Sequence, residues 1–199
     1  MNAPQAIFRI AFLGVALFAT RPLIGQTAGG NAVYLGGGAK AGEITDRSAI
    51  IHVRLTATPG QDQDGLIPGR EGEARLRYGT EESLREFMTN DWETARATED
   101  HSIQFHLAGL APAERYFYRA EMRTSEGGET TLSDTHSFVT APAADQLAPV
   151  FFHLTTCQDT RGESTYVPMA AQHPDFCVSA GDTVYYDGEG LARTVPQAW

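Results

Sequence analysis

The sequence predicts a mixed fold, in which an all-β sandwich is followed by the first βαβ unit of an α/β domain. Short segments of alternating apolar and polar residues recur through positions 48–140, separated by turn residues, which is typical of a sandwich. Two apolar runs flank a short helical segment between positions 150 and 179, which is the pattern of a parallel crossover. Between the two regions, the sequence Ala141-Pro142-Ala143-Ala144 indicates a short interdomain linker.

The N-terminal segment has the pattern of an export signal. Arg9 precedes an apolar stretch at positions 10–19 that is too short to span a bilayer. Small residues follow, and cleavage near Gly25 or Ala28 fits them. We therefore predict a signal peptide at residues 1–28 and a periplasmic or extracellular location. A buried first strand and an uncleaved anchor are the alternative interpretations.

Five strands are predicted within the sandwich, which we place at residues 31–143: positions 48–55, 74–78, 102–107, 116–122 and 136–140. The run Gly109-Leu110-Ala111-Pro112, with Tyr116 four residues later, resembles the corner motif of fibronectin type III-like domains. In such a corner the phenol lies under the connection, and its hydroxyl bonds back to the backbone. The first domain is therefore predicted to be a fibronectin type III-like sandwich.

The crossover region, residues 148–199, brings potential metal ligands together. The predicted strands 150–155 and 176–179 are joined by a helix at about 165–172. Such crossovers make the strands parallel, and the carboxyl ends of neighbouring strands lie about 5 Å apart. Ligand-binding crevices of open α/β sheets form at these ends. The sequence therefore predicts a metal site built from residues that follow the two strands: Cys157, Asp159, Asp182, Tyr185 and Asp187.

The charge balance restricts the partners. A net charge of −10 and a pI near 5.0 argue against a nucleic-acid-binding surface and against attachment to an anionic membrane. No stable membrane span is predicted. The sequence does not indicate an oligomeric state.

Four segments carry a resemblance to a known family. Three of them resemble the opening of an alkaline phosphatase D-type metallophosphoesterase: Thr156-Cys157-Gln158-Asp159, Tyr166-x-Pro168-Met169-Ala170, and the run from Pro174-Asp175-Phe176 to Gly181-Asp182-x-Val184-Tyr185-Tyr186-Asp187. The fourth resembles that family's N-terminal domain: Gly42-Glu43-Ile44-Thr45-Asp46, with Arg54-Leu55-Thr56 downstream. The resemblance covers about residues 33–193.

The resemblance implies a calcineurin-like phosphoesterase domain that uses iron(III) and calcium, or another divalent metal. It implies that Cys157 and Tyr185 bind iron(III) and that Asp182 bridges two cations. Asp159 and Asp187 would be calcium ligands, or carboxylates that support the metal ligands. The implied activity is hydrolysis of small phosphate mono- or diesters by metal-activated hydroxide. No catalytic residue is identified beyond this metal site.

Each of these residues also has a simpler interpretation. Gly181-Asp182 fits an ordinary turn or helix cap, and Tyr185 fits packing under a sheet edge. Asp159 and Asp187 fit solvated loop acids. In an exported protein, Cys157 can form a disulfide with Cys177. Against that pairing, Cys177 is predicted to lie inside a buried strand, several residues from the end of the first strand.

The phosphoesterase domain is expected to be incomplete in this chain. Two parallel strands cannot bury their faces, and a piece of about 55 residues buries too little surface to be stable alone. The Gly-Asn-His turn and later histidines of the resembled family do not occur before Trp199. We therefore expect this chain alone to be inactive. The alternative function is a non-catalytic exported β-sandwich that acts as a binding or spacer module.

Overall fold

A computed structural model describes residues 32–157 and 163–182. Eleven strands and one α-helix are assigned there: β1 (Ala39–Gly42), β2 (Ser48–Arg54), β3 (Gly72–Gly79), β4 (Met88–Thr89), β5 (Glu93–Ala95), β6 (Ser102–Ala108), β7 (Arg115–Arg123), β8 (Thr131–Leu132), β9 (His136–Val139), β10 (Phe152–Thr155), α1 (Glu163–Ala170) and β11 (Phe176–Ser179). A 3₁₀ turn at Ala97–Glu99 precedes β6.

Strands β1 to β9 form two antiparallel sheets that enclose one core. The first sheet has the order β1-β2-β6, and the second is built on the long β3–β7 pair, with β4 and β5 on β3 and β8 and β9 on β7. Every second residue of β2 is buried, since Ala49, Ile51 and Val53 face the other sheet. The predicted sandwich is therefore confirmed.

A buried tyrosine fixes the connection between β6 and β7. The Tyr116 hydroxyl accepts a hydrogen bond from the Ala111 backbone N–H at 2.9 Å. Thr140 secures the same corner, because its hydroxyl donates to the Ala111 carbonyl at 2.6 Å and accepts from the Glu114 N–H at 2.9 Å. The predicted bond from the Tyr116 hydroxyl to the backbone is confirmed.

Beyond the sandwich, β10 and β11 pair in parallel and are connected through α1. Phe152 pairs with Phe176 and Leu154 with Val178, which places four apolar side chains on one face. This face is exposed, with Leu154 64% and Phe152 50% accessible. The expectation that two parallel strands cannot bury their faces is confirmed for the described residues, whereas the expected burial of the strand around Cys177 was wrong, because no second layer covers it there.

Helix α1 is short and contains Pro168. Proline supplies no backbone N–H, so a helix of eight residues has one donor fewer. Within residues 32–157 and 163–182, no helix has the length and apolar content needed to cross a membrane. The predicted signal peptide, residues 1–28, lies outside the described residues.

Candidate metal centre

The ends of β10 and β11 lie side by side. Thr155 and Ser179, the last residues of the two strands, are direct partners in the parallel ladder. Two further backbone bonds extend the contact, from the Ala180 N–H to the Thr155 carbonyl at 2.7 Å and from the Cys157 N–H to the Gly181 carbonyl at 3.3 Å. Residues 25 positions apart in sequence are thereby held at one edge of the sheet.

This arrangement brings two of the predicted ligands into contact. Cys157 Sγ lies 3.4 Å from Asp182 Oδ2, and both residues are exposed. Thr156 Oγ1 is 3.5 Å from Cys157 Sγ and also 3.5 Å from the Gly181 carbonyl oxygen. The expected meeting of the residues after the two strands is therefore observed for Cys157 and Asp182. Their binding of a metal stays a prediction.

The backbone at this contact has an uncommon conformation. Cys157 and Asp182 have φ angles of 54° and 50°, and Gly181, which follows β11, has φ of 109°. Positive φ is uncommon for residues with a side chain and costs energy, so it persists where surrounding contacts enforce it. Such strain tends to occur at functional sites. The two strand ends are consequently turned so that the thiol and the carboxylate face each other.

The donor set is only partly described. Tyr185, Asp159 and Asp187 lie outside the described residues. Within residues 32–157 and 163–182, no three His, Cys, Asp or Glu side chains cluster closely enough to hold a metal ion. A thiolate beside a carboxylate suits iron or zinc, whereas calcium prefers oxygen ligands alone. The two residues therefore fit part of an iron site, and a calcium site would need oxygen ligands from elsewhere.

The two cysteines are separate free thiols. Cys157 and Cys177 are both unpaired and exposed. Cys177 pairs with His153, four residues before Cys157, which corresponds to about 13 Å along the strand. The Cys157–Cys177 disulfide is absent from the structure for this reason. The predicted burial of Cys177 was wrong.

Two polar groups of the β10–α1–β11 unit were not among the predicted site residues. His153 Nδ1 and the Tyr166 hydroxyl are buried, and neither has a hydrogen-bond partner among the residues that the structure describes. The His153 side chain as a whole is half-buried. Asp175 was also missed. Its carboxylate accepts from the Phe151 N–H at 2.7 Å and its own N–H donates to the Phe151 carbonyl at 2.8 Å, which joins the starts of the two strands.

Comparisons with known proteins identify the family. Residues 25–142 match the family model described as "PhoD-like phosphatase, N-terminal domain", so the chain belongs to the PhoD-like phosphatase family. The predicted resemblance to alkaline phosphatase D-type proteins is confirmed. No curated protein matches the chain.

A solved structure of PhoD shares the fold of this chain, and other solved structures are less similar. A structure of PhoD is 24% identical, has a TM-score of 0.62 and covers 76% of this chain, and the match covers only 28% of the PhoD chain. The sixth fibronectin type III domain of human fibronectin type III domain containing protein 3 is 17% identical at a TM-score of 0.40, with coverages of 61% and 95%. A sensor domain of the anti-sigma factor RsgI4 from Pseudobacteroides cellulosolvens is 16% identical at a TM-score of 0.38, with coverages of 58% and 98%.

The likeness to PhoD extends beyond the matched N-terminal domain. The family match ends at residue 142, before β10. The structural match to PhoD covers 76% of the chain, and this is more residues than the segment 1–142 contains. The common fold therefore includes part of the chain after residue 142.

Proposed function

We propose that this chain is the N-terminal part of an exported, metal-dependent phosphoesterase. The observation that carries this proposal is the 3.4 Å contact between Cys157 Sγ and Asp182 Oδ2, at the carboxyl ends of parallel strands in a member of the PhoD-like phosphatase family. Ligand crevices of open α/β sheets occur at such ends. A thiol and a carboxylate held together there form a donor pair that a metal can use.

The proposal divides the chain into three parts. Residues 1–28 form the signal peptide, residues 31–143 the fibronectin type III-like domain, and residues 148–199 an incomplete metallophosphoesterase domain. The family match at residues 25–142 supports the second part. The parallel β10–α1–β11 unit and the likeness to PhoD beyond residue 142 support the third.

In the proposed site, Cys157 and Tyr185 would hold iron(III), Asp182 would serve both cations, and Asp159 and Asp187 would either bind calcium or support the metal ligands. When bound, the cations activate water and neutralise charge on a phosphate mono- or diester. The chain contributes the placement of the ligands. The strand ends fix Cys157 opposite Asp182, and Thr156 holds the turn through its contacts with Cys157 and Gly181.

Iron titration of the full 199-residue chain tests this assignment. We expect one ferric ion to bind with a visible tyrosinate charge-transfer band, and Cys157→Ser or Asp182→Asn to weaken binding by about tenfold or more. Cys177→Ser is the matched control, since this thiol lies on the same sheet but not at the strand ends. Equal iron affinity in the Cys157→Ser and Cys177→Ser variants would refute the site.

The chain alone is expected to hydrolyse a generic aryl phosphate no faster than buffer. The physical reason is that the described residues supply two ligands, and phosphoryl transfer between two metals needs a complete set around both. The measurement is release of the aryl alcohol in the presence of iron and calcium. Metal-dependent turnover that Asp182→Ala abolishes would contradict this expectation.

A second candidate function is that of a non-catalytic β-sandwich, which would act as a binding or spacer module. It is favoured by the contrast between a well-buried core in β1 to β9 and an exposed apolar face on β10 and β11. The iron titration separates the two candidates. A colourless, metal-free protein whose sandwich still unfolds cooperatively supports the module.

A further inference from the structure

The outer face of the β3–β7 pair carries a regular array of charges. The antiparallel register places Glu73 opposite Arg123, Arg75 opposite Glu121, and Arg77 opposite Arg119. These positions alternate with the buried residues of both strands, so the six side chains lie on the solvent side of the sheet. We refer to these six residues as the arginine face.

The charges on the arginine face are held in fixed positions. Glu121 is only 4% exposed, and its two oxygens accept from Arg75 Nε at 2.9 Å and Arg77 Nη2 at 2.8 Å. Arg123 Nε donates to Glu73 at 2.7 Å. Because the side chains are already ordered, a partner that docks here loses little conformational entropy in fixing them.

Aromatic side chains lie against the same guanidinium groups. The Trp92 ring is 4.0 Å from the guanidinium carbon of Arg123 and 4.7 Å from that of Arg75. Phe87 lies 4.9 Å from the guanidinium carbon of Arg77 and is 42% exposed, and Leu132, opposite Glu121, is 43% exposed. Arginine, tryptophan and phenylalanine are the residue types enriched at protein–protein interfaces.

Among the residues that the structure describes, Arg119 has no acidic partner. It lies directly opposite Arg77, a like-charge pairing that is unfavourable in a sheet, and Glu121 already bonds to Arg75 and Arg77. Arg119 Nη2 has one long contact, 3.4 Å to the Ser83 carbonyl, and its Nε is buried without an acceptor. No ion pair among residues 32–157 and 163–182 includes Arg119. An unsatisfied charged donor in such a position is costly.

We propose that the arginine face is a docking surface for an acidic protein segment, which presents a carboxylate to Arg119. Four arginines and two glutamates give the face two surplus positive charges in a chain whose net charge is −10. The surface is therefore electrostatically complementary to an acidic partner. A segment that presents a carboxylate is favoured over nucleic acid or an anionic membrane, because Arg119 is the one arginine of this face without an ion pair among the described residues, whereas a row of phosphates is bound by several unpaired cations.

Trp92 supplies the signal for a direct test. Trp199→Phe leaves Trp92 as the only tryptophan, because the chain contains two. A poly-L-glutamate peptide is titrated into the full chain with this substitution, and Trp92 fluorescence is followed. We expect saturable binding that changes the Trp92 emission, because Trp92 contacts Arg75 and Arg123 within the face.

The decisive variants change one arginine each. We expect Arg119→Gln to weaken peptide binding about tenfold or more, since the carboxylate loses a charge-assisted bond. The matched control is Arg115→Gln, on the same strand, which is exposed and bonds to Ser137 instead. Arg119→Lys keeps the positive charge but lacks the planar guanidinium group. It is the second variant to test if Arg119→Gln lowers the midpoint of thermal unfolding.

Several outcomes would overturn the proposal. They are absence of saturable peptide binding, an equal loss in the Arg115→Gln and Arg119→Gln variants, and full affinity in both Arg119→Gln and Arg119→Lys. Binding of a DNA oligonucleotide or of anionic phosphatidylserine vesicles as tightly as the peptide would also overturn it, because the face would then be a general anion surface.

Discussion

Tyr116 shows how a single hydroxyl can secure a long connection in the sandwich. Its side chain is 5% exposed, its ring stacks on Phe138 at 5.7 Å between centroids, and its hydroxyl accepts from the Ala111 N–H. The ring belongs to the core while the hydroxyl satisfies the backbone of the connection. Strand β7 is thereby tied to the loop that precedes it.

Tyr116→Phe is expected to lower the free energy of unfolding by about 1–3 kcal/mol, because the Ala111 N–H loses its acceptor in a partly buried place. Urea denaturation followed by far-UV circular dichroism measures the change. Tyr118→Phe is the matched control on the same strand. Burial raises the pKa of Tyr118 to about 12, and its hydroxyl makes no hydrogen bond among the described residues. If Tyr116→Phe lowers the free energy of unfolding no more than Tyr118→Phe does, the hydrogen bond between Tyr116 and Ala111 does not stabilise the fold.

Two neighbouring glycines offer a second test. A Cβ at Gly36 would lie 2.7 Å from the Thr58 carbonyl oxygen and 2.8 Å from Ile67 Cγ2, whereas a Cβ at Gly37 would meet nothing within 4 Å. We expect Gly36→Ala to cost about 1–3 kcal/mol of unfolding free energy and Gly37→Ala to change it by less than about 1 kcal/mol. Equal unfolding midpoints in the two variants would be the contrary result.

At the level of elements, the β3–β7 pair is the ladder on which the six-stranded sheet is built. Its inner face supplies core residues such as Leu76 and Tyr118, and its outer face supplies the ion pairs of Glu121. The two faces stabilise the sheet by different means. The stabilisation that the outer face provides depends on the ionised carboxylate of Glu121, so protonation of Glu121 at acid pH removes it.

The hydrogen bond from Arg77 holds the pKa of Glu121 below its usual value, against the opposing effect of burial. A carboxyl group whose pKa is lower in the folded state stabilises the protein above its unfolded pKa, near 4.5, and loses this contribution as the pH falls through the lowered folded value. We therefore expect the free energy of unfolding of the Glu121→Gln variant to fall less steeply than that of the wild-type chain between about pH 5 and pH 3.

Urea denaturation at a series of pH values measures this effect. Glu129→Gln, in the exposed loop before β8, is the control and should leave the pH profile unchanged. Parallel profiles for the wild-type chain and the Glu121→Gln variant would show that Glu121 does not contribute.

For the whole molecule, the separation of core from tail leads to a truncation experiment. All residues of the hydrophobic core cluster lie between Val33 and Phe138. A chain of residues 29–143 is therefore expected to keep the main thermal unfolding midpoint of the full chain within about 5 °C. A chain of residues 29–134 lacks β9 and Phe138, and it should lose cooperative unfolding. If the chain of residues 29–143 also fails to unfold cooperatively, the sandwich does not fold independently of the rest of the protein.

The sequence pattern predicted the strands that supply most of the core. Alternation around Ile51, Phe105 and Tyr118 is a strong signal because these side chains are buried between the sheets. Strands β1, β4, β5 and β8 were missed, since they are only two to four residues long and pair along β2, β3 and β7. Such strands are specified by their neighbours and have no periodicity of their own.

The candidate site was predictable in part. The contact of Cys157 with Asp182 follows from parallel pairing, which a crossover pattern determines. The exposure of Cys177 was not predictable from its apolar neighbours, because burial depends on a second layer and not on strand composition. The unpartnered His153 Nδ1 and Tyr166 hydroxyl likewise depend on tertiary packing.

The parallel pairing of β10 with β11 also changes the thermodynamics of chelation. An ion that had to bring Cys157 and Asp182 together would meet the loop-closure entropy of the 25 positions between them. Here the strand ladder and the stacked rings of Phe152 and Phe176, 5.3 Å apart, have already closed that loop. The affinity for a ligand that binds both Cys157 and Asp182 therefore depends in part on the Phe152–Phe176 pair, which the ligand itself does not contact.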